Sequence, residues 1–131
     1  MDEIFNDRRV KPRPHPDNQM VGDPHYLDPR TVTWVEREPS LPFRGLKSPR
    51  WRVQHLRAND QGGSMQSATG PLRRRREALE AFEQVKGGSS IYDAESTIIQ
   101  QRRDAARERR ERRQYERFKG YNQAVNPGSF G

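Results

Sequence analysis

The 131-residue chain has no cysteine, so it can form neither a disulfide framework nor a thiolate metal site. It also has no apolar run approaching the roughly 18 residues of a membrane-spanning helix. The opening Met1-Asp2-Glu3-Ile4-Phe5-Asn6-Asp7 is acidic and has no apolar core, which fits neither a secretory signal nor a mitochondrial presequence. The three histidines, His15, His25 and His55, fall in separate segments without metal-ligand spacing. No glycine-rich phosphate loop, nucleophile elbow or carboxylate pair stands on an expected scaffold. The reading is therefore not an enzyme, with no cofactor, no metal and no small-molecule substrate.

Apolar residues are scarce, at 30% against 33% charged, and the mean hydropathy is −1.25. Ordering the backbone costs ~1–2 kcal/mol per residue, which burial must offset. A chain this polar, with 20 glycines and prolines together, predicts no autonomous globular core. The expected fold class is mostly irregular and extended with α: a proline-rich extended arm followed by two helices that fit an αα-hairpin.

The arm spans residues 1–57 and holds eight of the ten prolines. Lys11-Pro12-Arg13-Pro14-His15-Pro16 reads as polyproline II, as a PxxP-like ligand or a plain linker. Asp23-Pro24 and Asp28-Pro29 read as two turns around His25, Tyr26 and Leu27. Thr31-Val32-Thr33-Trp34-Val35 is the best strand candidate, with no second clear strand to pair with it. Trp34 then either docks on another protein or tucks against the chain's own helices. Leu41-Pro42-Phe43 forms a further apolar peg. In Arg50-Trp51-Arg52-Val53-Gln54-His55, a strand reading puts Trp51, Val53 and His55 on one face and Arg50 and Arg52 on the other.

Residues 58–70 have the composition of a flexible linker. A first helix is predicted over 71–86, ended by Gly87-Gly88, with Leu72, Leu79 and Phe82 on its apolar stripe and Ala78 and Val85 beside it. Arg73, Arg74, Arg75 and Arg76 put four cations in its first turn, against the helix dipole. An outside acidic group, or water with Glu77, Glu80 and Glu83, must compensate them. A second, long arginine-rich helix is predicted over 90–119, with Ser90 as N-cap and Ile91, Ala94 and Ile98 facing the first helix. Residues 120–131 read as an extended tail.

From Arg102 to Lys119 there are nine basic and four acidic residues. Pairs such as Glu108–Arg112 and Arg107–Glu111 contribute only ~0.2–0.5 kcal/mol each. A net positive face remains, in a chain of formal charge +7 and pI about 10.4. That predicts an acidic partner: a protein surface, favoured here, or RNA, with no membrane. The expected contact residues are the aromatics Trp34, Phe43, Trp51, Tyr115 and Phe118. They are joined by Arg50, Arg52, Arg73, Arg74, Arg75, Arg76, Arg109, Arg110 and Arg113.

A short, cysteine-free chain dotted with proline and aromatics resembles the small microtubule inner proteins of ciliary doublets, which are ordered against tubulin. The resemblance implies a structural protein of the axonemal cytoskeleton, threaded through a large assembly and bound to tubulin or neighbouring subunits. The alternative is an RNA-contacting subunit of a ribosome or spliceosome, which would admit a nuclear location. A viral structural protein and a disordered regulator fit the same composition.

Overall fold

Two side-chain-capped turns start the fold. In the first, Asp28 Oδ1 accepts the Arg30 N–H at 2.8 Å and Oδ2 the Thr31 hydroxyl at 3.2 Å. In the second, Asn59 Oδ1 accepts the N–H groups of Gln61 and Gly63 at 2.9 and 2.8 Å, with Gly62 at φ +81°. Asp and Asn make such turns because a short side chain reaches the backbone two residues on. In this computed structural model, which describes residues 9–40 and 48–125 (without the side chains of 121–125), the turns link antiparallel strands.

The strands are β1 (Gln19–Asp28), β2 (Thr31–Glu38), β3 (Arg50–Ala58) and β4 (Ser64–Ala68), in the order β1-β2-β3-β4. Two helices follow, α1 (Arg75–Lys86) and α2 (Ile91–Val125). Contacts divide the chain into two units, Met1–Ile98 and Ile99–Gly131. The sheet, α1 and the first turns of α2 belong to the former.

Period-two alternation gives β2 and β3 two usable faces. Val35 pairs with Val53 on one face, and Val32 with Leu56 on the other. On the first face the valines pack with Ala78, Ala81, Phe82 and Val85 of α1 and Ile91, Ala94 and Ile98 of α2. The α1 residues recur at i, i+3, i+4 and i+7, and the alanines let the helix approach closely. On the second face Val32, Trp34 and Leu56 pack with Val10, Met20 and Tyr26. Residues 9–18 cross this face: Val10 N–H donates to the Pro29 carbonyl at 2.8 Å, and His15 N–H to Glu36 Oε1 at 2.8 Å. Glu36 is fully buried, and Gln54 Nε2 donates to its other oxygen at 2.7 Å.

Local signals set the helix ends. Ser90 Oγ accepts the Asp93 N–H at 3.0 Å and caps α2. Gly88, at φ +109°, turns the chain after α1, where its N–H bonds the Val85 carbonyl at 3.0 Å. Glu95 Oε1 accepts the Gly70 N–H at 2.8 Å and ties the end of β4 to α2.

This overturns the expected fold class, an extended proline-rich arm and helices with no autonomous globular core. The 1–57 segment supplies β1, β2 and β3, and 58–70 carries β4 and the buried Thr69. The average over the whole chain misled, because it mixes a sheet with apolar residues on both faces with long runs of arginine. Asp23-Pro24 lies in a bulge of β1 between Val21 and His25. Leu79, expected in the helix–helix core, is 40% exposed.

With a core of its own, the protein is expected to unfold in one cooperative transition, followed by near-ultraviolet circular dichroism. Trp34→Ala should cost about 3–5 kcal/mol in that transition. A second expectation concerns His55, whose Nδ1 lies 2.9 Å from Thr33 Oγ1. Burial pushes this imidazole below its ordinary 6.5, Arg57 adds to the push and Asp28 opposes it. A lowered folded-state value means the unfolded chain binds the proton more readily. His55 therefore contributes stability above pH 6.5 that is lost as pH falls through its folded value. Urea midpoints should drop from neutral pH to about pH 5, and by less in His55→Gln.

Candidate nucleic-acid interface

The α2 helix passes from an apolar beginning to a segment with no apolar stripe. From Arg107 to Gly120 every side chain is exposed. The chemistry of this segment is set by how its charges distribute around the axis. At about 100° per residue, Arg102, Arg103, Arg107, Arg109, Arg110, Arg113 and Arg117 fall within an arc of about 160°. Only Ala106 and Gln114 interrupt them. Asp104, Glu108 and Glu111 lie on the opposite side, and Glu116 lies at one edge. The arginine stripe runs about 22 Å along the axis at 1.5 Å per residue.

Few of these cations are neutralised by neighbours. Arg107 pairs with Asp104 at 3.6 Å, in i,i+3 spacing. Arg103, Arg109, Arg110, Arg113 and Arg117 have no carboxylate partner among the described residues. The expected Glu108–Arg112 and Arg107–Glu111 pairs are not formed among them. Arg109, Arg112, Arg113, Glu116 and Arg117 line one shallow depression on the helix. Phe118, 65% exposed, borders the stripe, whereas Tyr115, equally exposed, lies on the acidic side.

The other expected contact residues lie in the folded unit or outside the described residues. Trp34 has no exposed surface and is a core residue of the second sheet face, so it presents nothing to a partner. It tucks against residues 9–18 and β1, not against the helices. Phe43 lies outside the described residues. Arg52 donates Nε to Glu38 Oε1 and Nη1 to the Thr69 carbonyl, the latter at 3.2 Å. That fork bridges β2 and the end of β4, a structural role. Arg50, half-buried, sits on the same face as Arg52.

Trp51 and the Arg73–Arg76 run meet in space. Trp51 N–H donates to the Leu72 carbonyl at 3.0 Å, and Leu72 N–H to the Trp51 carbonyl at 2.7 Å. This bridge sets the four arginines beside the start of β3. Glu77 Oε1 accepts the Arg74 N–H at 3.2 Å, half of a capping box. Arginine has no acceptor with which to return the bond.

The sequence reading named Arg109, Arg110 and Arg113 but missed Arg102, Arg103, Arg107 and Arg117 of the same stripe. Helical spacing, read beyond the run of charge, would have found them. Among the described residues no helix is long and apolar enough to cross a membrane, and no cluster of side chains is arranged to hold a metal. No protein-family model matches the chain, and neither a curated protein nor a solved structure matches it.

The structural assignment of Arg52 is open to measurement. Arg52→Ala should lower stability by about 1 kcal/mol, the pair being partly exposed, as read by urea denaturation.

Proposed function

We propose that this protein binds the phosphate backbone of RNA through the arginine stripe of α2. The observation that carries the reading is the segregation of seven arginines from the acidic residues on one exposed helix, with five unpaired. A guanidinium forks onto two oxygens of a phosphate or carboxylate, so arginine alone does not separate nucleic acid from acidic protein. The rest of the stripe favours nucleic acid. Protein interfaces carry a desolvated core depleted of charge and enriched in aromatics. Here the only apolar side chain among the arginines is Ala106. Backbone binding to nucleic acid needs no such core, because release of condensed counterions drives it. Phe118 beside the stripe suits stacking on an unpaired base.

The reading of a chain threaded through a ciliary microtubule drew on the expectation that nothing inside it folds, and the two-sided sheet removes that support. An acidic protein surface such as tubulin remains the competing occupant of the same stripe.

The test is fluorescence anisotropy with labelled single-stranded RNA across a salt series. Binding should weaken steeply, at about −0.7 in log–log slope per phosphate neutralised. Reversing Arg109, Arg110 and Arg113 to Glu should lower the affinity and flatten the slope by about 2. Cosedimentation with microtubules, together with RNA binding that is weak and insensitive to the three reversals, would return the stripe to an acidic protein.

A further inference from the structure

A second basic feature lies wholly within the folded unit and is independent of α2. Strand register lines up Gln19, Arg37, Trp51 and Leu72 as one row across the sheet. Arg37 shares the face of Val35, two residues before it, which is the face that the helices cover. Immediately beyond Leu72, Arg75 opens α1. Between this row and Arg75 lies a groove of about 450 Å³, lined by Gln19, Gly22, Arg37, Trp51, Arg75 and the adjoining residues of β1. Gly22 sits at φ +72°, and a Cβ added there would meet nothing within 4 Å, so the groove is open on the β1 side.

The lining is rich in donors and contains no carboxylate. Strand alternation explains this for Arg37. Its sequence neighbours Glu36 and Glu38 point to the opposite face, where Glu36 is held by His15 and Gln54 and Glu38 by Arg52. Neither Arg37 nor Arg75 has an ion-pair partner among the described residues. The indole Nε1–H of Trp51, like that of Trp34 in the core, is buried with no acceptor, so it marks this groove only together with the two arginines. The groove at the other end of the sheet is unlike this one. There Asp28 and Asp60 accompany Arg30 and Arg57, and Arg30 pairs with Asp60.

We propose that the groove between Arg37, Trp51 and Arg75 is a phosphate site, binding a free phosphate or the monoester of a nucleotide. Two unpaired guanidinium groups on facing elements match a compact oxyanion carrying more than one charge and several acceptor oxygens. A carboxylate offers two oxygens and one charge and leaves one fork unfilled. Gln19 supplies a further donor at the rim.

The two tryptophans make the test internal to the full-length protein. Two-dimensional proton–nitrogen spectra show one indole resonance for each, assigned through Trp51→Phe. Titration with inorganic phosphate should shift the Trp51 indole to saturation and leave that of buried Trp34 in place. Chloride and acetate at equal ionic strength should not reproduce the shift. Arg37→Gln and Arg75→Gln, both at exposed positions, should each raise the half-saturating phosphate concentration by about tenfold or more, as expected for losing a charge-assisted hydrogen bond. An unmoved Trp34 resonance certifies that each variant is folded. A nucleoside monophosphate that saturates at lower concentration than inorganic phosphate identifies the monoester as the ligand. Equal behaviour identifies the free anion. No saturable shift, the same shift with acetate, or full response in both arginine variants overturns the site. Reversal of Arg109, Arg110 and Arg113 should leave the phosphate response intact, so failure here is separable from failure of RNA binding through α2.

Discussion

The fold depends on a central strand buried from both sides. Thr31 to Glu36 of β2 are all buried, with β1 and β3 hydrogen-bonded to the two edges and a different layer on each face. Through Val35 this strand meets the helices, and through Val32 and Trp34 it meets residues 9–18. The backbone polar groups of such a strand are satisfied only if both neighbours are present, and each buried group left unpaired costs about 1–3 kcal/mol. Pairing and burial are therefore one constraint. The buried Glu36 belongs to it, because an N–H of the crossing segment and the amide of Gln54 on β3 satisfy its two oxygens.

Strand alternation also decides how the charges are used. Glu36, Arg37 and Glu38 are consecutive, yet the two acids are engaged on one face and the cation is left on the other. In α2 the same sorting follows the helical period, with seven of the eight arginines on one side and most of the acids on the other, where Arg112 also lies. A helix segment without an apolar stripe gains little from burial, and its local ion pairs contribute a few tenths of a kcal/mol each. The net positive face is then the main interaction it can offer. Its contribution to binding falls as salt rises, because exposed charges are screened within about 10 Å at 0.1 M.

Much of the local structure was legible in the sequence. Ser90 before Ile91 marked the start of α2, and Gly87-Gly88 marked the end of α1. Asp28-Pro29 marked a turn, and Trp51, Val53 and His55 shared a face once β3 was read as a strand. These signals act between residues a few positions apart, so the order of residues is enough to show them. The concentration of arginine in the second half was equally plain, although its confinement to one helix face needed the angular reading.

Only the tertiary structure decided what stands beside what. Val35 meets Val53 across 18 positions, and Leu72 closes onto Trp51 across 21 positions, contacts for which no local pattern exists. The polar Ser64–Ala68 becomes a strand because β3 offers it an edge, not because its residues favour one. Trp34 disappears into the core and Arg37 stays at a groove because pairing register fixes the face of every side chain. The sequence determined charge, the Asp28-Pro29 turn, the end of α1 and the start of α2, which are local properties. The end of α2 was not legible, since the helix runs to Val125 through the start of the expected extended tail 120–131, and α1 opens at Arg75 rather than at 71. The fold determined which of those charges lack a partner, because that depends on neighbours brought together from distant parts of the chain.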